Sequence, residues 1–124
     1  MSLDKGFDKS SNKAFNLVKK IHEKTLNGDI HWEETEMEGI YQAAFPNYTV
    51  RIYENLSRDE DSSMYYTLSI FNGEGKRIED ITTWDLFKDH SESYTLMQEL
   101  YKAARGIAMG VETAIDDILT SLEH

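Results

Sequence analysis

The chain contains no cysteine, which excludes disulfides, thiolate catalysis and cysteine-ligated zinc. That absence fits a reducing compartment. No apolar run approaches the roughly 18 residues of a membrane span. The opening Met1-Ser2-Leu3-Asp4-Lys5 lacks the apolar core of a secretion signal. A cytoplasmic protein without a membrane partner is expected. Basic residues are scarce as well: 13 Lys and Arg stand against 23 Asp and Glu, a net charge of −10. The deficit is uneven. Residues 1–27 hold six lysines against Asp4, Asp8 and Glu23, a net of +3, while the remainder carries −13. Such a field repels phosphate backbones, so no nucleic-acid partner is expected. A nucleic-acid mimic, or a partner for something basic, is the sharper reading of the same charge.

Catalytic signatures are missing too. His22, His31 and His90 have no histidine four residues away, and no metal is assigned. His31-Trp32-Glu33 and His90-Ser91-Glu92 spell H-x-E without the downstream P-C-x-x-C that deaminases require. Asp59-Glu60-Asp61-Ser62-Ser63 lacks the glycine and terminal glutamate of a calcium loop, so it reads as a charged loop. No serine sits in G-x-S-x-G, and Gly73-x-Gly75 joins two strands rather than a strand and a helix. No catalytic residue and no cofactor follow from the sequence, and a non-enzymatic protein is expected.

What the chain does contain is a clear change of period. With 124 residues, 40% of them hydrophobic, it can build one core. Residues 11–121 read as a single α+β domain after a flexible N-terminus over 1–10. Leu122-Glu123-His124 matches the junction that opens a C-terminal polyhistidine tag. Ala14, Leu17, Val18, Ile21 and Thr25 share one helical face between Ser11 and Asn27, and Asn27-Gly28 supplies a stop. Ile30 and Trp32 then lead towards a sheet.

Four alternating stretches come next: Ile40–Phe45, Tyr48–Tyr53, Met64–Phe71 and Lys76–Ile81. They predict a four-stranded antiparallel meander. Pairing Phe45 with Tyr48, Ala43 with Val50 and Tyr41 with Ile52 puts all six on one apolar face. Val50, Ile52, Leu68 and Ile70 should look inward, and Arg51, Tyr53 and Tyr65 away. Pro46 cannot supply positive φ, so a four-residue loop is expected there. Asn72 to Gly75 fits a type I turn closed by a left-handed Gly75, which pairs Ile70 with Ile78. Thr82 to His90 reads as a loop whose Trp84, Leu86 and Phe87 tuck under a helix. Asp89 and Glu92 suggest a capping box. Tyr94, Met97, Leu100, Tyr101 and Ala104 form the next helical stripe. Gly110 then divides the helical C-terminus in two or kinks it, before Val111, Ala114, Ile115, Ile118 and Leu119.

Trp32-Glu33-Glu34-Thr35, Tyr41-x-Ala43, Tyr48-Thr49-Val50, Tyr66-x-Leu68-x-Ile70, Gly75, Leu100-Tyr101-x-x-Ala104-Arg105 and Gly110-Val111 together resemble a loose pattern in short uncharacterised bacterial proteins. The resemblance spans about residues 12–121. It implies a helix, a four-stranded sheet and a helical C-terminus, and it brings no known activity.

Three function classes are compatible with these features. The first is a protein-interaction or regulatory module, homodimeric or bound to another protein. Its candidate interface is the second sheet face, with Ile40, Arg51, Tyr53, Tyr65 and Phe71, a composition typical of interfaces. The second is a small acidic secretion chaperone, whose strands a helix would interrupt between Arg51 and Ile81. The third is a small-ligand binder with a sheet–helix pocket lined by Trp32, Tyr41, Trp84, Tyr94 and Tyr101. The plainer reading of those aromatics is a filled core.

Overall fold

A computed structural model describes residues 2–56 and 64–124, with side chains from residue 12 onward. The first helix, α1 (Ser2–Leu26), begins well ahead of the expected Ser11, in a stretch with no proline to break its ladder. Gly28, at φ +81°, closes its end, and the Asp29 N–H reaches back to the Lys24 carbonyl. The face turned to the core is Phe15, Val18, Ile21 and Thr25, while Leu17 is left 37% exposed.

The sheet has five strands rather than four: β1 (Glu33–Glu34), β2 (Tyr41–Phe45), β3 (Tyr48–Leu56), β4 (Met64–Asn72) and β5 (Arg77–Thr82). Each is antiparallel to its sequence neighbour, in the order β1-β2-β3-β4-β5. The two-residue β1 pairs Glu33 with Gln42 and Glu34 with Tyr41. It escapes a periodicity reading because two residues carry no period. The first hairpin has the anticipated register, Tyr41↔Ile52, Ala43↔Val50 and Phe45↔Tyr48. Its loop is two residues, not four. Proline's φ near −65° suits the first central position of a two-residue turn, so Pro46 does not require the longer loop.

The second hairpin corrects another expectation. Gly75, at φ +82°, donates to Asn72 O across 2.9 Å and closes the turn as anticipated. Ile70, however, pairs with Glu79, because β5 has an irregularity that makes Ile78 an extra residue opposite Ile70/Phe71. The extra residue reverses the parity of the rest of the strand. Ile81 thereby falls opposite Leu68 in the core, and Asp80 falls opposite Ser69 on the outer face. Had Ile78 paired regularly with Ile70, Asp80 would fall opposite Leu68 in the buried position.

Thr82–His90 is a short helix rather than a loop over part of its length. In α2 (Thr83–Phe87), Thr82 and Asp85 form a reciprocal capping box. Thr83 and Leu86 point inward, whereas Trp84 and Phe87, each 46% exposed, do not tuck away. The box expected at Asp89 and Glu92 is absent: α3 (Ser93–Ala108) has Glu92 at its N-cap with no side-chain bond. Gly110, at φ +64°, separates α3 from α4 (Val111–Leu122), so the C-terminus is two helices. Among the described residues no helix lies between Arg51 and Ile81. Residues 57–63, including the Asp59-Glu60-Asp61 run, are outside those described.

The core is one cluster. Val18 of α1, Trp32, Ile52 and Leu68 of the sheet, and Met97 and Leu100 of α3 are each 1% exposed or less. Helices α1 and α3 thus cover one sheet face, and α4 follows α3 across Met109-Gly110 without burying a residue.

Candidate functional site

The helical layer is shorter than the sheet it covers. At the β2–β3 hairpin the inner-face residues Phe45 and Tyr48 are 37% and 50% exposed, although they share a face with buried Val50. Together with Ile70 and Ile78 they form one wall of an open apolar groove. The other wall is the flank of α1 turned away from α3: Leu17, Lys20, Ile21 and Lys24, with Asp29 and Ile30 just beyond its end. The groove encloses about 830 Å³. Lys20, Lys24, Asp29 and Tyr48 carry its bordering polar groups, while the lining itself is almost wholly apolar. No pair of groups suited to proton transfer or nucleophilic attack converges in it. It can exclude water from an apolar ridge and neutralise negative charge along its edge.

Helix α4 is the complementary oddity. It has no buried residue, and its apolar stripe is open, with Ile115 51%, Ile118 60% and Leu119 54% exposed. The other side of the helix carries Glu112, Asp116 and Asp117 and no basic residue.

The outer sheet face holds the residues anticipated for an interface. Ile40, Arg51, Tyr53, Tyr65 and Phe71 are all half-buried. Arg51 donates from Nε to Gln42 Oε1 at 3.1 Å, lies 3.2 Å from the Glu36 carboxylate, and sits 5.5 Å above the Phe71 ring. Its own backbone N–H, and then Arg51, hold the Glu36 carboxyl below the ordinary range. Tyr53 and Ser69 share a hydrogen bond, and Ser69 donates to Asp80 at 2.6 Å. Tyr65 meets Trp84 at 6.0 Å, and Trp84 meets Phe87 at 6.4 Å, so an aromatic row closes the sheet edge.

The five aromatics anticipated for a pocket do not surround one space. Trp32, Tyr41 and Tyr101 are buried, Tyr94 packs beside them, and Trp84 lies on the outer rim. Trp32 donates to Thr25 Oγ1 at 2.9 Å. Tyr101 packs against Tyr41 and Tyr66 and donates to Gly39 O at 3.0 Å. Burial pushes its phenol up to about 12, with Tyr41 and Glu54 adding to the effect. None of the five lines the groove. Trp84 misses the interior because α2 turns Thr83 and Leu86 inward.

The groove residues Leu17, Phe45, Tyr48 and Ile78 are not marked as a site by the sequence. Each lies in an apolar pattern, and periodicity does not reveal which patterned positions stay uncovered. His90 stacks on Phe15 at 3.9 Å and bonds Asn12, while His22 Nε2 lies 3.2 Å from Glu99 without hydrogen-bond alignment. Among the described residues no group of three or more His, Asp or Glu side chains could hold a metal, and no helix is long and apolar enough to cross a membrane. No protein-family model matches the chain, and no curated protein or solved structure matches it.

Proposed function

We propose that this is a non-enzymatic, cytoplasmic protein-interaction module that receives an amphipathic helix in the groove beside α1. The observation that carries this reading is the groove itself: half-exposed Leu17, Phe45, Tyr48 and Ile78 surround one continuous apolar channel. Contiguous exposed apolar surface rimmed by charge is the usual mark of a protein-docking site. A channel between a helix and a sheet suits an apolar ridge with anchors at helical spacing. The test places photoreactive benzoylphenylalanine at Tyr48 and, as a control, at exposed Lys102 on α3, in cells that make the protein. Irradiation is expected to give protein adducts from position 48 and far fewer from 102. Equal yields, or no protein adduct at 48, would remove this reading.

The outer sheet face supports a second contact, through the aromatic row of half-buried Tyr65 and exposed Trp84 and Phe87. Loss of an interaction on Tyr65→Glu with Phe71→Glu, while Tyr48→Glu leaves it intact, would assign the docking to that face instead.

A further inference from the structure

We propose that the occupant of the groove is α4 of a second copy of this chain, so that two molecules exchange C-terminal helices about a twofold axis. This rests on the reading of the groove as a helix-docking site and names its partner. Both halves of the contact are present on one molecule, and both lack cover. In α4, Ile115, Ile118 and Leu119 lie three and four residues apart on one stripe, all more than half exposed. A helix of 12 residues is marginal in water on its own, so one that buries no residue needs outside support. The groove offers that support through Leu17, Ile21, Phe45, Val50, Ile70 and Ile78.

Charge selects the same pairing. The polar side of α4 presents Glu112, Asp116 and Asp117 without a basic residue, in a region that carries the negative excess of the chain. The groove is edged by Lys20 and Lys24, within residues 1–27, which carry a net charge of +3. Lys20 reaches Glu23 on its own helix at 3.6 Å, with both side chains more than half exposed, so its charge remains available. Asp29 opposes the pairing at the end of the groove, two lysines against one acid. Opposite fields of this kind fix orientation and register.

The junction permits the exchange. Gly110 is left-handed at φ +64° and a side chain there would meet no atom within 4 Å, so α4 leaves α3 at an unobstructed joint. A one-way contact of α4 with a groove would propagate into filaments, whereas reciprocal insertion buries two helices and closes as a dimer.

The test is sedimentation equilibrium of the full chain at about 0.05 M and about 0.5 M salt. The expected result is a dimer that weakens at the higher salt. Ile118→Glu with Leu119→Glu, and separately Tyr48→Glu with Ile78→Glu, should each raise its dissociation constant by about a hundredfold or more. Far-UV circular dichroism should show both variants folded, because all four side chains are exposed. The deciding measurement mixes the two variants. One keeps an intact groove and the other an intact α4, so the mixture should recover a heterodimer that neither variant forms alone.

Three results would overturn the proposal: a monomeric unaltered protein, a groove variant that dimerises normally, or a mixture that fails to pair. The second would point to α4–α4 pairing. A monomeric protein that still cross-links to another protein from position 48 refutes the exchange and keeps the docking groove. Absence of any adduct refutes both.

Discussion

Tyr101 shows how one side chain can hold three parts of the molecule. Its ring packs between Tyr41 of β2 and Tyr66 of β4, and its hydroxyl donates to the Gly39 carbonyl at 3.0 Å. Tyr101→Phe removes that bond and should cost about 1 kcal/mol at neutral pH, read from urea unfolding. The phenol also sets an alkaline limit. In the unfolded chain it titrates near its ordinary value of 10, in the folded protein at about 12. Between those values the folded state keeps a proton that the unfolded state has lost. Stability is therefore complete below pH 10 and drains as pH rises towards 12. Tyr66, raised in the same direction by burial, adds to the loss. The urea midpoint should fall between about pH 9 and about pH 11, and less steeply in Tyr101→Phe. An equal slope in both proteins would exclude Tyr101 as the source.

At the scale of elements, β5 works through two irregularities. Its register shift at Ile78 places Ile81 inward and Asp80 outward. Deleting Ile78 removes only the extra residue, so it should leave Ile81 opposite Leu68 and Asp80 opposite Ser69 and cost no more than about 1–2 kcal/mol. Ile78→Ser, at a half-exposed position, should change stability by less than about 1 kcal/mol. A large drop in melting temperature for the deletion alone would show that β5 needs the bulged backbone itself rather than the Ile78 side chain. The second irregularity is where the strand ends. Beyond Thr82 the chain turns into α2, and the Thr83 hydroxyl takes over the role of a strand partner. It accepts from the Tyr66 N–H at 3.0 Å and donates to the Tyr66 carbonyl at 3.3 Å. Thr83→Val keeps the shape but orphans both buried groups, an expected loss of about 1–3 kcal/mol on urea unfolding. A neutral result would mean that the end of β4 rearranges to satisfy itself.

For the whole molecule, the decisive relation is that between the helical layer and the sheet. α1 and α3 bury Val50, Ile52 and Leu68 but stop short of Phe45 and Tyr48. The surplus sheet forms the groove, and the surplus helix is α4, which contributes no buried residue. Stopping the chain after Gly110 should therefore change unfolding free energy by less than about 1 kcal/mol at a concentration where the protein is monomeric. Removal of α4 should also abolish self-association in sedimentation. A large loss of monomer stability would mean that α4 supports α3 more than its exposure indicates.

Much of this architecture can be read from local pattern. The inward set of Val50, Ile52 and Leu68 and the outward set of Arg51, Tyr53 and Tyr65 follow from alternation. This is a constraint between near neighbours, so the order of amino acids settles it alone. Gly110, by contrast, marks a break or a kink that only the packed chain resolves into two helices. Strand β1 is illegible because two residues have no period, and the extra residue in β5 because a bulge leaves no compositional trace in so charged a strand. The groove is illegible for a different reason. Phe45 and Val50 carry the same local signal, and only the packed arrangement of α1 over the sheet leaves one open and buries the other. Coverage depends on how far two layers overlap in space, which is decided by tertiary packing.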